Sequence, residues 1–193
     1  MRRRQWWWLL AVPAVALFVL RVCAVRNFRI PTGSMEPTVL SGDYVVANMA
    51  AYGLRLPFVS SVFFGPRVPR RGDVVVYRFP EDPSRLFLHR VIGLPGEQIE
   101  IRGKVVWIDG RALDEPYTQF IGDESPMLRR FGPERVPADH LFILGDNRDN
   151  ARDSRFWGFL KVEEVRGKAW RLYFSQDPRD GTTRWDRIGR AIR

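Results

Sequence analysis

The sequence is poor in the side chains that most often carry catalysis. Its 193 residues include one cysteine, Cys23, so no disulfide can form within the chain, and cysteine usage neither requires nor excludes an oxidising compartment. Histidine occurs twice, at His89 and His140, so few side chains are available as a general base. Lysine, the other common choice, occurs three times, at Lys104, Lys161 and Lys168.

Because lysine is scarce, the formal net charge of +9 comes almost wholly from arginine. Such a charge favours contact with phosphate groups or anionic lipid head groups. No nucleic-acid-binding motif accompanies it, so nucleic acid is not expected as a partner. With 45% hydrophobic residues the chain can bury one sizeable core, which excludes a disordered or low-complexity protein.

Charged side chains are absent from residues 6–20, and the apolar run extends to residue 25 if Arg21 reaches the membrane interface. A helix of roughly 20 apolar residues crosses a bilayer. We therefore expect residues 1–25 to form an uncleaved membrane anchor. The alternatives are a secretory signal peptide and a lipoprotein signal ending at Cys23, but Arg21 and the bulky Val22 argue against both.

Beyond the anchor, short β-branched and aromatic runs alternate with Gly, Pro and Asp. This spacing predicts a mainly antiparallel β domain over residues 26–193, with a small insertion at about residues 110–139. No stretch in the domain has a convincing helical period. The predicted strands are residues 44–47, 74–77, 86–92, 105–108, 141–144 and 169–174.

Residues 50–69 are unusually apolar for a loop in a β domain. Such a loop is either a buried cover or a patch that contacts a membrane or an extended ligand, and the predicted anchor favours the membrane. The basic tail at residues 184–193 would also suit an anionic lipid surface, although a solvated tail is the alternative.

A candidate nucleophile, Ser34, follows the predicted anchor closely. It comes directly after Gly33 and lies between Pro31 and Pro37, which restrict the backbone on both sides. A hydroxyl held in a constrained segment suits nucleophilic attack. A plain turn or a helix cap is the alternative interpretation of the same residues.

A serine nucleophile needs a general base. In the predicted strand 86–92, alternation places Phe87, His89 and Val91 on one face, so His89 is presented beside apolar side chains. A packed histidine without a catalytic role is the alternative. His140 is expected in a surface loop with no role in catalysis.

The polar segment at residues 145–158 contains several aspartates, asparagines and arginines. It lacks the alternating carboxylates and the later glutamate of a calcium loop, so no metal site is expected. A network of polar turns is the alternative to a catalytic role.

Four segments resemble the motifs of bacterial type I signal peptidases. Residues 31–38 resemble the nucleophile motif, residues 71–76 the next strand motif, residues 89–97 the base-bearing motif, and residues 145–158 the last motif. The anchor and the ending Arg184-Trp185-Asp186-Arg187 also fit. The resemblance implies a signal-peptidase-like β fold with a shallow substrate cleft and one N-terminal transmembrane helix. It also implies a single-pass protein of the bacterial cytoplasmic (inner) membrane, with its catalytic domain on the extracytoplasmic side.

Two residues depart from the family pattern. The bacterial family usually has lysine where this sequence has His89, and serine where it has Ala151. A histidine base needs little pKa shift, but its ring must be oriented, which a carboxylate does well. The resemblance to the Ser-His branch of the family therefore implies Ser34 as nucleophile and His89 as base. Asp153 is the candidate orienting carboxylate, unless it pairs with Arg155.

The resemblance also assigns the remaining site residues. The oxyanion donors would be the Ser34 backbone N–H and the Thr32 hydroxyl. Shallow apolar pockets would accept small substrate residues, and they would be lined by Phe28, Ile30, Met35, Val45, Val76 and Leu88. The expected partners are preprotein signal peptides and the phospholipid membrane. The chain is expected to be a monomer that uses no cofactor.

Three other functions were considered for the same sequence. The first is a catalytically inactive, membrane-anchored binding module, although His89 at the base position argues against it. The second is a related peptidase that matures a specialised secretion or pilus component. The third is a self-cleaving Ser-Lys repressor, which the predicted anchor and the lack of a DNA-reading helix pair disfavour.

Overall fold

The computed structural model describes residues 10–13, 24–53, 67–121 and 129–193. From residue 24 onward these residues form eleven β-strands, one helical turn (α1, Ser154–Trp157) and two 3-10 turns at Val162–Glu164 and Trp185–Arg187. The strands are β1 Val25–Arg29, β2 Asp43–Asn48, β3 Val74–Phe79, β4 Asp82–Gly93, β5 Gln98–Arg102, β6 Val105–Ile108, β7 Arg111–Ala112, β8 Arg130–Arg135, β9 His140–Leu144, β10 Leu160–Lys161 and β11 Val165–Ser175.

The strands form two antiparallel sheets. The larger sheet has the order β1-β2-β11-β3-β4-β9-β10, and the smaller has the order β7-β6-β5-β8. Strands β3 and β4 are joined by a short turn and pair along most of their length. The strands of the small sheet, β5 to β8, lie between β4 and β9 in the sequence. Strands β4 and β9 are nevertheless neighbours in the large sheet.

Strand β3 shows how the large sheet is covered on both faces. Its alternate residues Val74 and Val76 belong to one buried apolar cluster, whereas Val75 and Tyr77 belong to another. Side chains point to opposite faces with a period of two, so a continuous apolar run indicates a strand buried on both sides. A third cluster, containing Ile99 and other apolar residues, packs the small sheet against the large one.

The predicted β domain is confirmed, and all six predicted runs lie within strands. Residues 110–139, expected as an insertion, contribute β7 and β8 to the small sheet; the domain boundaries themselves stay a prediction. The only α-helical segment in the domain's described residues is the single turn α1.

Two expectations lie largely outside the described residues. These are the anchor, apart from residues 10–13 and 24–25, and the centre of the apolar loop, residues 54–66. Among the described residues, no helix has the length and apolar character needed to cross a membrane.

Candidate active site

The candidate nucleophile lies in a tight turn between β1 and β2. The end of β1 is fixed by two backbone bonds, from Ile30 N–H to the Asp43 carbonyl and from Gly42 N–H to the Ile30 carbonyl, each 2.8 Å. Within the turn, Glu36 N–H donates to the Gly33 carbonyl at 3.2 Å. Ser34 itself is half-buried, while its neighbour Met35 is buried in the core. The hydroxyl is therefore carried on a backbone anchored on both sides.

The segment 145–158 clamps this turn from the other side. Asn147 donates from its backbone N–H to the Ser34 carbonyl at 3.1 Å, and from its side-chain amide to the Gly33 carbonyl at 3.0 Å. Gly145 is required by space, because an added Cβ would lie 2.3 Å from the Ala151 Cβ and 2.5 Å from the Ser34 carbonyl oxygen. No role was predicted for Asn147, because nothing in the sequence distinguishes it from the other polar residues of this segment.

The ring of His89 faces the same point. A Cβ on Gly145 would lie 3.5 Å from the His89 Cδ2 atom as well as 2.5 Å from the Ser34 carbonyl oxygen. Nε2 is bonded to Cδ2 in the imidazole ring, so this edge of the ring is turned toward the nucleophile turn. His89 is 1% exposed, and its Nε2 has no hydrogen-bond partner among the described residues.

The opposite edge of the ring is bound by Tyr77. The Tyr77 hydroxyl lies 2.8 Å from His89 Nδ1. In the β3–β4 register, Val75 stands opposite His89 and Tyr77 opposite Phe87, so Tyr77 is a diagonal neighbour of His89 on the adjacent strand. Diagonal neighbours are within reach of aromatic side chains. This contact was not predicted, because it depends on a register that the sequence does not reveal.

The expected ring partner, Asp153, binds elsewhere. Its carboxylate accepts from the Arg155 guanidinium, with Nε and Nη2 both at 2.8 Å, and from the Gly145 backbone N–H at 3.1 Å. Asp153 thus pairs with Arg155 in this structure, and the hydroxyl of Tyr77 lies at the Nδ1 atom of His89 in its place. The carboxylate of Asp153 is fully buried and acts on the imidazole through its charge.

Burial controls the titration of His89. Desolvation lowers the pKa of its ring from 6.5 to about 4, while the charges of Asp153 and Asp146 oppose the decrease and Arg155 adds to it. This direction differs from the expectation of a histidine with a nearly unshifted pKa. The ring is neutral at physiological pH, as a proton acceptor must be.

A buried ion pair braces the site. The Arg90 guanidinium binds the Asp146 carboxylate through Nε at 2.8 Å and Nη2 at 2.6 Å, and both side chains are 1% exposed. Thr38, from the nucleophile turn, donates its hydroxyl to Asp146 at 2.5 Å. The residue after the candidate base is thus joined to the candidate nucleophile turn.

The residues expected to line the substrate pockets lie together. Five are buried members of one apolar cluster and the sixth, Phe28, packs half-buried against it; the buried five are Ile30, Met35, Val45, Val76 and Leu88. Thr32 is exposed at the entrance of the nucleophile turn. His140 lies at the opposite end of β9 from Gly145. No group of three or more His, Cys, Asp or Glu suited to hold a metal ion occurs in the described parts of the chain.

Comparisons with known proteins match this arrangement to one family. The family described as signal peptidase, peptidase S26, matches residues 3–174. Signal peptidase I of Pseudomonas aeruginosa is 34% identical over 198 residues, covering 84% of this chain and 70% of that protein. Signal peptidase I of Leptolyngbya laminosa is 36% identical over 170 residues, covering 82% of this chain and 75% of the relative.

The chain belongs to the signal peptidase family, peptidase S26. A crystal structure of a signal peptidase I from Enterococcus faecalis shares 31% sequence identity and covers 53% of this chain and 97% of that one, with a TM-score of 0.47. Signal peptidases of this family are serine peptidases. In this chain the half-buried Ser34 is the candidate nucleophile and the neutral ring of His89 the candidate base.

Proposed function

We propose that this protein is a membrane-bound serine endopeptidase that removes signal peptides from exported preproteins after small residues. The observation that carries the proposal is the convergence of the Ser34 turn and the Nε2 edge of His89 on Gly145, inside a chain of the signal peptidase family. The relatives named signal peptidase I support the same substrate class.

Ser34 attacks and His89 accepts its proton. As the Ser34 Oγ forms a bond to the carbonyl carbon of the scissile peptide, His89 Nε2 takes the hydroxyl proton. Collapse of the tetrahedral intermediate breaks the C–N bond, and His89 returns the proton to the leaving amine. Water, deprotonated by the same nitrogen, then attacks the acyl carbon; the bond from that carbon to Ser34 Oγ breaks and His89 returns the proton to Oγ. No hydrogen bond joins Ser34 to His89 Nε2 among the described residues, and catalytic hydrogen bonds often tighten only when substrate binds.

The charge that develops during the reaction has partners in the site. The oxyanion would be held by the Ser34 backbone N–H and the Thr32 hydroxyl. The imidazolium would be stabilised by the nearby carboxylates of Asp153 and Asp146, whose charges favour the protonated ring. A histidine with a low pKa needs these two carboxylates, because their charges raise its affinity for the proton that Ser34 releases.

The substrate pockets account for the preference for small residues. Met35, Val76 and Leu88 are each less than a tenth exposed, so they offer little surface to a substrate side chain. A side chain the size of alanine fits such a surface without moving the core. An extended peptide would take its main-chain hydrogen bonds from a strand edge beside the cluster.

Residues 1–25 are proposed to anchor the enzyme as a single helix, with residues 26–193 on the extracytoplasmic side of the bacterial inner membrane. The uncharged run at residues 6–20 supports the anchor. Resistance of the full chain to alkaline extraction from membranes would support this topology, and release into the supernatant would contradict it.

The test of the function is cleavage of a preprotein carrying an Ala-X-Ala site by the full chain in detergent. We expect one cut after the second alanine, lost in both Ser34→Ala and His89→Ala and retained in His140→Ala. Cleavage by Ser34→Ala would remove Ser34 from the mechanism. A wild-type protein that binds the preprotein without cutting it would instead support the inactive binding module. Cleavage of a pilus or secretion component alone would support the specialised peptidase.

A further inference from the structure

The hydroxyl of Tyr77 is the one hydrogen-bonding group at the Nδ1 atom of His89 in the described part of the chain. Tyr77 is fully buried, and its ring packs against two aromatic rings, Phe87 and Trp157, with centroid separations of 6.4 and 6.0 Å. This packing restricts the phenol ring of Tyr77, so its oxygen is held beside the Nδ1 atom of His89. Tyr77 lies outside the four motif segments, which are residues 31–38, 71–76, 89–97 and 145–158.

We propose that Tyr77 is the positioning residue of the base: its hydroxyl oxygen accepts the Nδ1–H of His89 and so leaves the Nε2 lone pair directed at the Ser34 turn. This inference rests on the proposed function, since it specifies how the ring is prepared for proton transfer. Tyr77 acts through His89 and does not contact the substrate.

Each of the two possible directions of the bond leaves one buried hydrogen without an acceptor among the described residues. If Tyr77 donated its proton to Nδ1, the neutral ring would carry its hydrogen on Nε2, which has no partner there. If Tyr77 accepts from Nδ1, its own phenol hydrogen is the one left over. Only the second direction keeps the Nε2 lone pair free to accept the proton of Ser34.

The electrostatic field at Tyr77 favours the same direction. Asp153 is close enough for its negative charge to act on both Tyr77 and His89. That charge attracts the phenol hydrogen toward the carboxylate and away from the imidazole, which leaves an oxygen lone pair free to accept from Nδ1. Asp153, which is paired with Arg155, thus acts on the ring through the orientation of a neutral hydroxyl.

A neutral phenol also gives a contact that does not titrate in the working range. Burial and the charge of Asp153 raise the pKa of Tyr77 well above its usual 10, so the hydroxyl keeps its hydrogen. The charged groups that face His89 are Asp153, Asp146 and Arg155. With the last two held in buried ion pairs, the orientation of the ring is expected to stay constant from mildly acidic to mildly alkaline pH.

The tautomer can be read without any assay of activity. The sequence has two histidines, so a sample labelled with ¹⁵N-histidine gives two ring systems, and His140→Gln assigns them. At pH 7 we expect His89 to carry its hydrogen on Nδ1 and to show a bare Nε2. A neutral His89 with its hydrogen on Nε2 would overturn the inference, whatever the enzyme cleaves.

The activity test uses Tyr77→Phe in the full chain, with Tyr52→Phe as the matched control. Tyr52→Phe also loses one hydroxyl bond, of 2.8 Å to Asp73, but the Tyr52 hydroxyl makes no hydrogen bond to His89. We expect Tyr77→Phe to lower kcat at least tenfold with KM within twofold and with a mixture of tautomers at His89. Tyr52→Phe should keep kcat within twofold.

A kcat within twofold of wild type in a folded Tyr77→Phe protein would overturn the inference while leaving the proposed function intact. Failure of the function would look different, because wild type would then not cleave or Ser34→Ala would remain active. If Tyr77→Phe does not fold, the wild-type tautomer decides, with hydrogen on Nδ1 supporting the inference and hydrogen on Nε2 overturning it.

Discussion

The ring of His89 and the methyl group of Ala151 both lie close to Gly145. An ideal Cβ on Gly145 would touch Ala151 and approach the ring of His89, so all three positions share one small volume. Ala151 is buried at 6% exposure and offers no hydrogen-bonding group. A lysine amine at position 89 would therefore enter a site without a hydroxyl to bind its ammonium.

We expect His89→Lys to be inactive and His89→Lys with Ala151→Ser to recover part of the lost activity. A lysine base must lose its charge, a shift of roughly three pKa units or about 4 kcal/mol, and it must also be positioned for the transfer. The added serine would supply the positioning. Ala151→Ser alone serves as the control and should keep most of the wild-type rate. Full activity in the single lysine variant, measured as preprotein cleavage, would show that the site does not discriminate between the two bases.

At the scale of elements, Asp153 connects the turn α1 to the nucleophile clamp. It caps α1 by accepting from the Arg155 backbone N–H at 3.2 Å, and it also accepts from the Gly145 backbone N–H at 3.1 Å. Its ion pair with Arg155 is buried, with side-chain exposures of 3% and 0%. Removing one partner of a buried pair leaves an uncompensated charge.

Asp153→Asn is expected to damage folding more than the chemical step. Loss of the carboxylate that pairs with Arg155 should lower the free energy of unfolding by about 3–5 kcal/mol. The kcat per folded molecule should fall less than the roughly 10⁴-fold seen when a carboxylate bound directly to the base is lost in other serine proteases. Urea unfolding and active-site titration would separate the two effects. Glu81→Gln, which removes the exposed partner of Arg152, is the control and should change neither. A stable variant with a 10⁴-fold lower kcat would return Asp153 to the role of direct orienting group.

The same scale explains which parts of the fold could be predicted. Strands such as β3 and β9 were evident because their apolar runs are buried on both faces. Strands β1 and β8 were not, since both are mostly exposed and contain charged residues, with no alternation to recognise. The candidate nucleophile and base were predicted from their motifs, whereas the contacts of Tyr77 and Asn147 depend on strand register and on the docking of a distant segment.

On the scale of the whole molecule, the candidate site depends on contacts between the two sheets, the Ser34 turn and residues 145–158. Arg90 shows the connection: besides Asp146 it donates to the Gly72 carbonyl at 2.8 Å, and its guanidinium lies 3.9 Å from the centroid of the Tyr117 ring. Tyr117 packs against the apolar cluster that holds the small sheet to the large one. The small sheet is thereby linked to the strand that carries the candidate base.

His89 is buried within this assembly, and its burial determines how the rate of cleavage should depend on pH. Only the neutral imidazole accepts the Ser34 proton, and burial lowers the pKa of the ring to about 4. As pH rises through this value the ring loses its proton, so activity should rise with it and then stay level. The value of kcat/KM is the relevant quantity, because its pH dependence reports the free enzyme.

The pH profile of kcat/KM for preprotein cleavage by the full chain is therefore the most direct measurement of the Ser34–His89 account. The predicted curve has an acid limb with a midpoint near pH 4 and a level region from about pH 5.5 to pH 8, following the pKa of about 4 for His89. An acid limb with its midpoint above pH 8 would contradict the account, because it would identify the base as a group that is still protonated when the ring of His89 is neutral.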